Sequence, residues 1–137
     1  MSTFELVAIG RVESALKDLA AAPRQADEGA PSAWLVFNAE VREALRDIKV
    51  GDSLLLFTWL DRAQRDVLSV HPRGDVSRAK QGVFTTRSPQ RPNPIGLHTV
   101  EIVGINDLRL RVRQLEAIDG TPIIDVKPVL NADVAGR

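Results

Sequence analysis

The sequence predicts a mainly β protein, a compact antiparallel β-barrel of about seven short strands with one or two short helices. Three observations predict it. The apolar runs are short and punctuated by turn residues, as strands are. Asp119-Gly120 is a hairpin turn signal, and Asn106-Asp107 marks another turn between two apolar runs. Only residues 14–22 and 41–48 carry a helical repeat, too few to alternate with strands as a βαβ architecture requires. At 137 residues, one domain over 1–137 is expected, with 131–137 as a frayed tail.

Each element follows from its local pattern. Residues 4–12 alternate loosely and are rich in β-formers, so they read as the first strand. Residues 14–22 place Leu16 and Leu19 on one helical face, and Pro23 ends that helix. Residues 23–32 form a polar loop. Residues 34–37 form a short apolar strand, and Asn38 stands where a helix N-cap belongs. Val41, Leu45 and Ile48 follow at helical spacing. Residues 53–60 are almost wholly apolar and read as a strand buried on both faces. Residues 67–70, 82–86 and 97–105 are further strands. The return strand 108–115 sets Leu108, Leu110, Val112 and Gln114 on one face and Arg109, Arg111 and Arg113 on the other. A last strand, 123–126, is stopped by Pro128.

Composition excludes several classes of chemistry. There is no cysteine, hence no disulfide, thiolate metal site or cysteine nucleophile. No charged-then-apolar leader and no membrane-length apolar run is visible, so a cytoplasmic protein without membrane attachment is expected. The net charge is zero, which argues against a bulk polyelectrolyte binder. The charge is nevertheless uneven. Between Asp61 and Arg91, seven basic residues (Arg62, Arg65, Arg73, Arg78, Lys80, Arg87, Arg91) face three acids (Asp61, Asp66, Asp75). This is either a solvated surface or a patch for phosphate or another anion. No GxGxxG, P-loop or nucleophile-elbow motif is present. His71 and His98 are far apart and read as polar loop or strand residues, and no metal site is expected.

Two dense stretches remain. Thr85 to His98 holds Pro89, Pro92 and Pro94, with Arg87, Arg91 and Gly96. Each proline fixes its own φ and holds the residue before it extended, while removing a backbone donor. The segment is then either a rigid connection or a preformed ligand wall, with carbonyls free to face a ligand and Arg87 and Arg91 offering guanidinium forks. In the second stretch, Asp119 to Pro128, a hairpin turn leads into a strand on which Asp125 and Lys127 share a face. These two residues form either an exposed ion pair or a ligand-binding carboxylate with its neighbour.

Together, "GVFTTRSPQRPNPIG" at 82–96 and "DGTPIIDVKP" at 119–128 resemble the TsaA/TrmO family, also called YaeB-like. Ile9-Gly10 and Pro23-Arg24-Gln25 match the same pattern in order, so the resemblance spans roughly residues 5–130. It implies a β-barrel that binds S-adenosylmethionine without a Rossmann fold, as a homodimer with the cofactor near the interface. It further implies methylation of the N6 nitrogen of threonylcarbamoyladenosine in tRNA, next to the anticodon. The cofactor contacts it implies are Pro23, Arg24, Gln25, Leu60, Asp61, Arg87, Leu97, Asp119, Gly120, Thr121 and Pro122. It assigns no catalytic residue. Methyl transfer from a sulfonium asks the protein mainly to position the acceptor nitrogen. The sequence departs from the family pattern at Leu60-Asp61, where a histidine-containing pair is common, and at Val129, where an aromatic is usual. The C-terminal extension of longer members is not in this sequence. A cofactor-binding module without catalysis and a methyltransferase for a smaller acceptor are the alternatives.

Overall fold

The computed structural model describes residues 1–17 and 31–130. Among the described residues there are eight strands: β1 (Gly10–Glu13), β2 (Ala33–Phe37), β3 (Ser53–Trp59), β4 (Ser69–Val70), β5 (Gln81–Gly82), β6 (Ile95–Asn106), β7 (Arg109–Val112) and β8 (Pro122–Pro128). Six of them close into an antiparallel barrel in the order β1-β2-β7-β6-β3-β8, and β4 and β5 form a separate two-stranded ribbon. The predicted fold class is what the chain adopts.

Period-two alternation fills the barrel. Leu54, Leu56 and Thr58 of β3, Val100 and Ile102 of β6, Ala33, Leu35 and Phe37 of β2, Leu110 and Val112 of β7, Val12 and Ile123 all point inward and are buried. Burying each large aliphatic side chain contributes about 1.5–3 kcal/mol. A register shift between Ile102 and Gly104 bends the long β6 from its pairing with β3 to its pairing with β7. A second shift, between Phe57 and Thr58, lets β8 stay with β3 while reaching β1.

Several local expectations are corrected. β1 is Gly10–Glu13, so of the predicted strand 4–12 only residues 10–12 are strand, with the Ile9 N–H bonded to Ile123 O (2.8 Å) just before them. Asn38 ends β2 and takes the last carbonyls of the entering chain, its backbone N–H bonding Ile9 O (2.9 Å) and its side-chain amide bonding Ala8 O (3.0 Å). The amide of Val126, beside which a longer β1 would run, is bonded to the carboxylate of Asp125 (2.8 Å). Phe4, Leu6 and Val7 are left exposed. Because its side chain is spent on Ala8, Asn38 caps nothing, and the helix expected after it is a 3₁₀ segment, Ala39–Leu45. Its periodicity still sets the buried side, since Val41, Leu45 and Ile48 pack on the core. Residues 14–17 are not helical, and the rest of the 14–22 helix and the 131–137 tail lie outside the described residues.

The apolar strand β3 is buried on one face only. Leu55, Phe57 and Trp59 are partly exposed, because no second layer covers a barrel's outside. Side chains shield two of them: the Arg65 guanidinium lies 5.2 Å from the Trp59 ring and the Lys127 ammonium 6.0 Å from Phe57. In place of the strand 82–86, β5 stops at Gly82 and Val83–Thr85 forms a 3₁₀ turn with Val83 buried. Gln114 has a φ of 51°, which ends the alternation of the return strand after Val112.

Candidate functional site

The strand register decides which loops share an end of the barrel. Glu13 at the end of β1 pairs with Trp34 at the start of β2, and Ala33 pairs with Val112 at the end of β7. Trp59 at the end of β3 pairs with Ile95 at the start of β6, Thr58 with Ile123, and Arg11 with Pro122 at the start of β8. The connections leaving β1, β3 and β7 therefore emerge at one end. Leu60, Asp61, Arg87, Leu97 and Asp119 to Pro122 are all on or beside two of these connections. Pro23, Arg24 and Gln25 lie outside the described residues.

On one side of this end, Leu60 continues β3 and bonds its N–H to Pro94 O (2.8 Å). Gly96, opposite, must be glycine. A Cβ there would stand 2.3 Å from Thr58 Oγ1, 2.9 Å from His98 Nε2 and 3.2 Å from Leu60 Cδ2. Leu97 faces outward and is 38% exposed. Arg87 is exposed, and its guanidinium makes one long contact, 3.4 Å to Leu97 O. Asp61 is exposed, with its N–H on Trp59 O (3.0 Å).

On the other side is the Asp119 turn. The Asp119 carboxylate accepts the Ser14 N–H (2.9 Å) and the Lys17 ammonium (2.9 Å). These bonds, the Ser14 amide foremost, hold its pKa below the ordinary carboxylate range. Gly120 adopts a left-handed φ of 84° with open space where a side chain would be, so its backbone is approachable. Thr121 is buried, and its hydroxyl closes the turn on Ile118 O (2.7 Å). Pro122 opens β8 beside Arg11. Next to this turn is a cleft of about 540 Å³ whose lining includes Lys17, Trp34, Arg111, Asp119 and Gly120.

Between the two sides runs a connection that sequence reasoning did not assign. Thr58 Oγ1 is 2.8 Å from His98 Nε2, and His98 Nδ1 is 2.5 Å from Glu116 Oε1. Thr58 is fully buried and the His98 side chain is 7% exposed. Glu116 Oε2 is buried with no hydrogen-bond partner among the described residues. The inward parity of Thr58 and His98 was a usable signal, because both stand at core positions of strands. Glu116 had none, as it lies on an irregular connection.

The proline-rich segment is a self-braced wall. Arg91 donates to Ser88 O (2.8 Å) and Thr86 O (3.3 Å), and lies 5.9 Å from the Phe84 ring. Arg65 donates to Pro92 O (2.7 Å) and Asn93 Oδ1 (2.9 Å). The carbonyls expected to face a ligand are thus partly taken by arginine and by the Leu60 amide, and two of the seven basic residues serve the loop itself. His71 braces the ribbon loop through Arg78 O (2.8 Å). Lys127 lies over Phe57, on the outer wall of the barrel. Among the described residues, no group of three or more acidic or histidine side chains is placed to hold a metal, and no helix is long and apolar enough to cross a membrane.

The family model of the tRNA-methyltransferase O N-terminal domain matches residues 11–133. An S-adenosyl-L-methionine-binding protein of Archaeoglobus fulgidus is 43% identical over 119 residues, covering 87% of this chain and 84% of its own. A second protein of that organism, a probable S-adenosyl-L-methionine-binding protein, is 41% identical over 128 residues, covering 93% of this chain but 34% of its own. The crystal structure of TrmO from Pseudomonas aeruginosa superposes with a TM-score of 0.77 at 27% identity, covering 98% of this chain and 59% of that one. The chain thus spans about a third of one archaeal relative and under two thirds of the solved structure.

Proposed function

Because this chain belongs to the tRNA-methyltransferase O N-terminal domain family, we propose that it is an S-adenosylmethionine-dependent methyltransferase that modifies the N6 nitrogen of threonylcarbamoyladenosine in tRNA. The observation that carries this reading is the set of groups gathered at one end of the barrel. Leu60 and Leu97 supply apolar surface, Arg87 a guanidinium with a single long contact, and Gly120 an open turn. A zwitterionic nucleoside needs this mixture: apolar walls for the base, a donor for the carboxylate and a turn whose backbone it can approach. The cofactor contributes a methyl group on a sulfonium, and this chain's residues hold the two reactants in line.

The exposed Arg78, Lys80 and Arg87 of the 61–91 excursion support contact with phosphate. Ile95 and Leu97, exposed by 43% and 38% beside the same site, support a homodimer with the cofactor near its interface. We place the protein in the cytoplasm, where tRNA is modified. A second reading, a module that binds the cofactor without catalysis, is favoured by the names of the archaeal relatives. A smaller methyl acceptor is a variant of the leading reading.

Incubation with labelled S-adenosylmethionine and total tRNA, followed by mass spectrometry of the nucleosides, separates these readings. Methyl in threonylcarbamoyladenosine supports the first. Calorimetric binding of the cofactor with no methyl in tRNA or in a small acceptor supports the second. No cofactor binding defeats both.

A further inference from the structure

The Thr58–His98–Glu116 chain lies at the end of the barrel that carries the site, between Leu97 and the Asp119 turn. Its inner end is satisfied. Thr58 Oγ1 and both ring nitrogens of His98 are hydrogen-bonded, and Glu116 Oε1 completes the line. Its outer end is not. Glu116 Oε2 is inaccessible to water and has no donor among the described residues, while the side chain as a whole keeps 17% of its surface exposed. A carboxylate oxygen left in this state is destabilising by about 1–3 kcal/mol or more, so a native protein keeps one for a reason. The side chain is partly exposed rather than sealed in the core, it stands on the connection that leads into the Asp119 turn, and the His98 imidazole holds its other oxygen in place.

Resting on the methyltransferase reading above, we infer that Glu116 is the proton acceptor for methyl transfer, oriented by His98 and Thr58. An acyl-substituted amino nitrogen carries an N–H whose proton must leave for the product to be neutral. The Glu116 side chain keeps 17% of its surface exposed, and substrate binding brings its Oε2, covered in the free chain, against the acceptor nitrogen. That nitrogen loses its proton to Oε2 as it gains the methyl carbon, while the electron pair of the broken carbon–sulfur bond stays on sulfur. A hydrogen bond to the cofactor's own amino group would require no more than a neutral acceptor. A carboxylate oriented by a hydrogen-bonded imidazole is the arrangement that proton removal uses. His98 and Thr58 touch no substrate in this scheme and are positioning residues.

The test uses Glu116→Gln, which keeps shape and removes basicity. Transfer to tRNA bearing threonylcarbamoyladenosine is expected to fall about 10²- to 10⁴-fold, the span of one general base, with cofactor affinity by calorimetry and the thermal midpoint near those of wild type. A readout independent of turnover comes from the two histidines of the chain. With the demethylated cofactor bound, adding the nucleoside N6-threonylcarbamoyladenosine to ¹⁵N-histidine-labelled wild type is expected to shift the His98 ring signals and leave those of His71 unmoved. In Glu116→Gln the His98 signals are expected to stay where the cofactor alone left them. The inference is overturned if wild-type His98 does not respond to the nucleoside. It is also overturned if Glu116→Gln transfers methyl at the wild-type rate, or loses cofactor affinity in proportion to transfer. Absence of cofactor binding by wild type would instead defeat the methyltransferase reading itself.

Discussion

His98 Nδ1 and Glu116 Oε1 stand 2.5 Å apart, joining the inner wall of the barrel to the loop three residues ahead of Asp119. The pair depends on the absence of a side chain at Gly96, whose Cβ would lie 2.3 Å from Thr58 Oγ1 and 2.9 Å from His98 Nε2. The stiff PNPIG run therefore delivers a glycine to the one place where a buried polar line needs the room.

Gly96→Ala is expected to push Thr58 and His98 apart and to destabilise the barrel by about 1–3 kcal/mol, as overpacking does. Urea unfolding checks this: the midpoint should fall at unchanged slope. Cofactor affinity should fall with it, because Leu60 Cδ2 is the third neighbour, at 3.2 Å. An unchanged midpoint would show that the wall yields without cost.

Thr58→Val conserves shape and strands His98 Nε2, whose contact with Thr58 Oγ1 is 2.8 Å in the native chain. The expected loss is about 1–3 kcal/mol, the cost of an unsatisfied buried polar group. Thr58→Ser retains the hydroxyl and should recover most of the hydrogen-bond component. A Thr58→Val variant as stable as wild type, with the loss confined to Thr58→Ser, would assign the effect to the methyl group and not to the hydrogen bond.

Arg87 and Arg91 are expected to separate cleanly. Arg87 makes one 3.4 Å contact, so Arg87→Ala should change stability by no more than about 0.5 kcal/mol. Its loss should weaken S-adenosylmethionine binding by about 1.5–3 kcal/mol, the range for a charged hydrogen bond. Arg91 holds two carbonyls of its own loop, so Arg91→Ala should lower the thermal midpoint before it alters binding chemistry. Calorimetry and thermal melts on both variants decide the assignment, and equal binding by Arg87→Ala and wild type would remove Arg87 from the site.

Asp119 carries a pH dependence of known sign. Its pKa is depressed in the folded chain by the Ser14 amide first and Lys17 next. A depressed folded pKa gives stability that is fully present above the unfolded carboxylate range and is lost as pH falls through the folded value. Asp119→Asn should therefore be less stable than wild type at neutral pH, and the gap should close on acidification below the carboxylate range. The Lys17 share should shrink in high salt, as an exposed ion pair does, while the Ser14 share persists. A gap independent of pH would contradict the assignment.

The barrel itself was legible in the sequence because its causes are local. Short apolar runs at residues 53–60 and 97–105 mark strands whether or not the partner strand is known, and turn chemistry at Asp119-Gly120 places the bend before β8, whereas the single buried face of β3 shows only in the closed barrel. Motif order over residues 82–96 and 119–128 pointed to the family, and the family match over 11–133 agrees. What local pattern misjudged were ends and exposures. The predicted strand 4–12 begins only at Gly10, and just ahead of it the Asn38 side chain holds the Ala8 carbonyl, a contact across 30 residues.

What only the tertiary structure decided was which polar groups meet. Thr58, His98 and Glu116 are separated by 40 and 18 residues, and no spacing rule links them. Barrel closure brings β3 and β6 into register, with Thr58 beside Gly96 and His98 one inward position further on. The same closure turned Arg65 and Arg91 from members of a basic stretch into braces of the proline-rich wall, leaving Arg87 with one long contact. Charge and proline content are properties of a segment, and the sequence displays them. Whether a guanidinium is spent or available depends on which carbonyls the fold sets within 3 Å of it, and that is a property of the closed barrel alone.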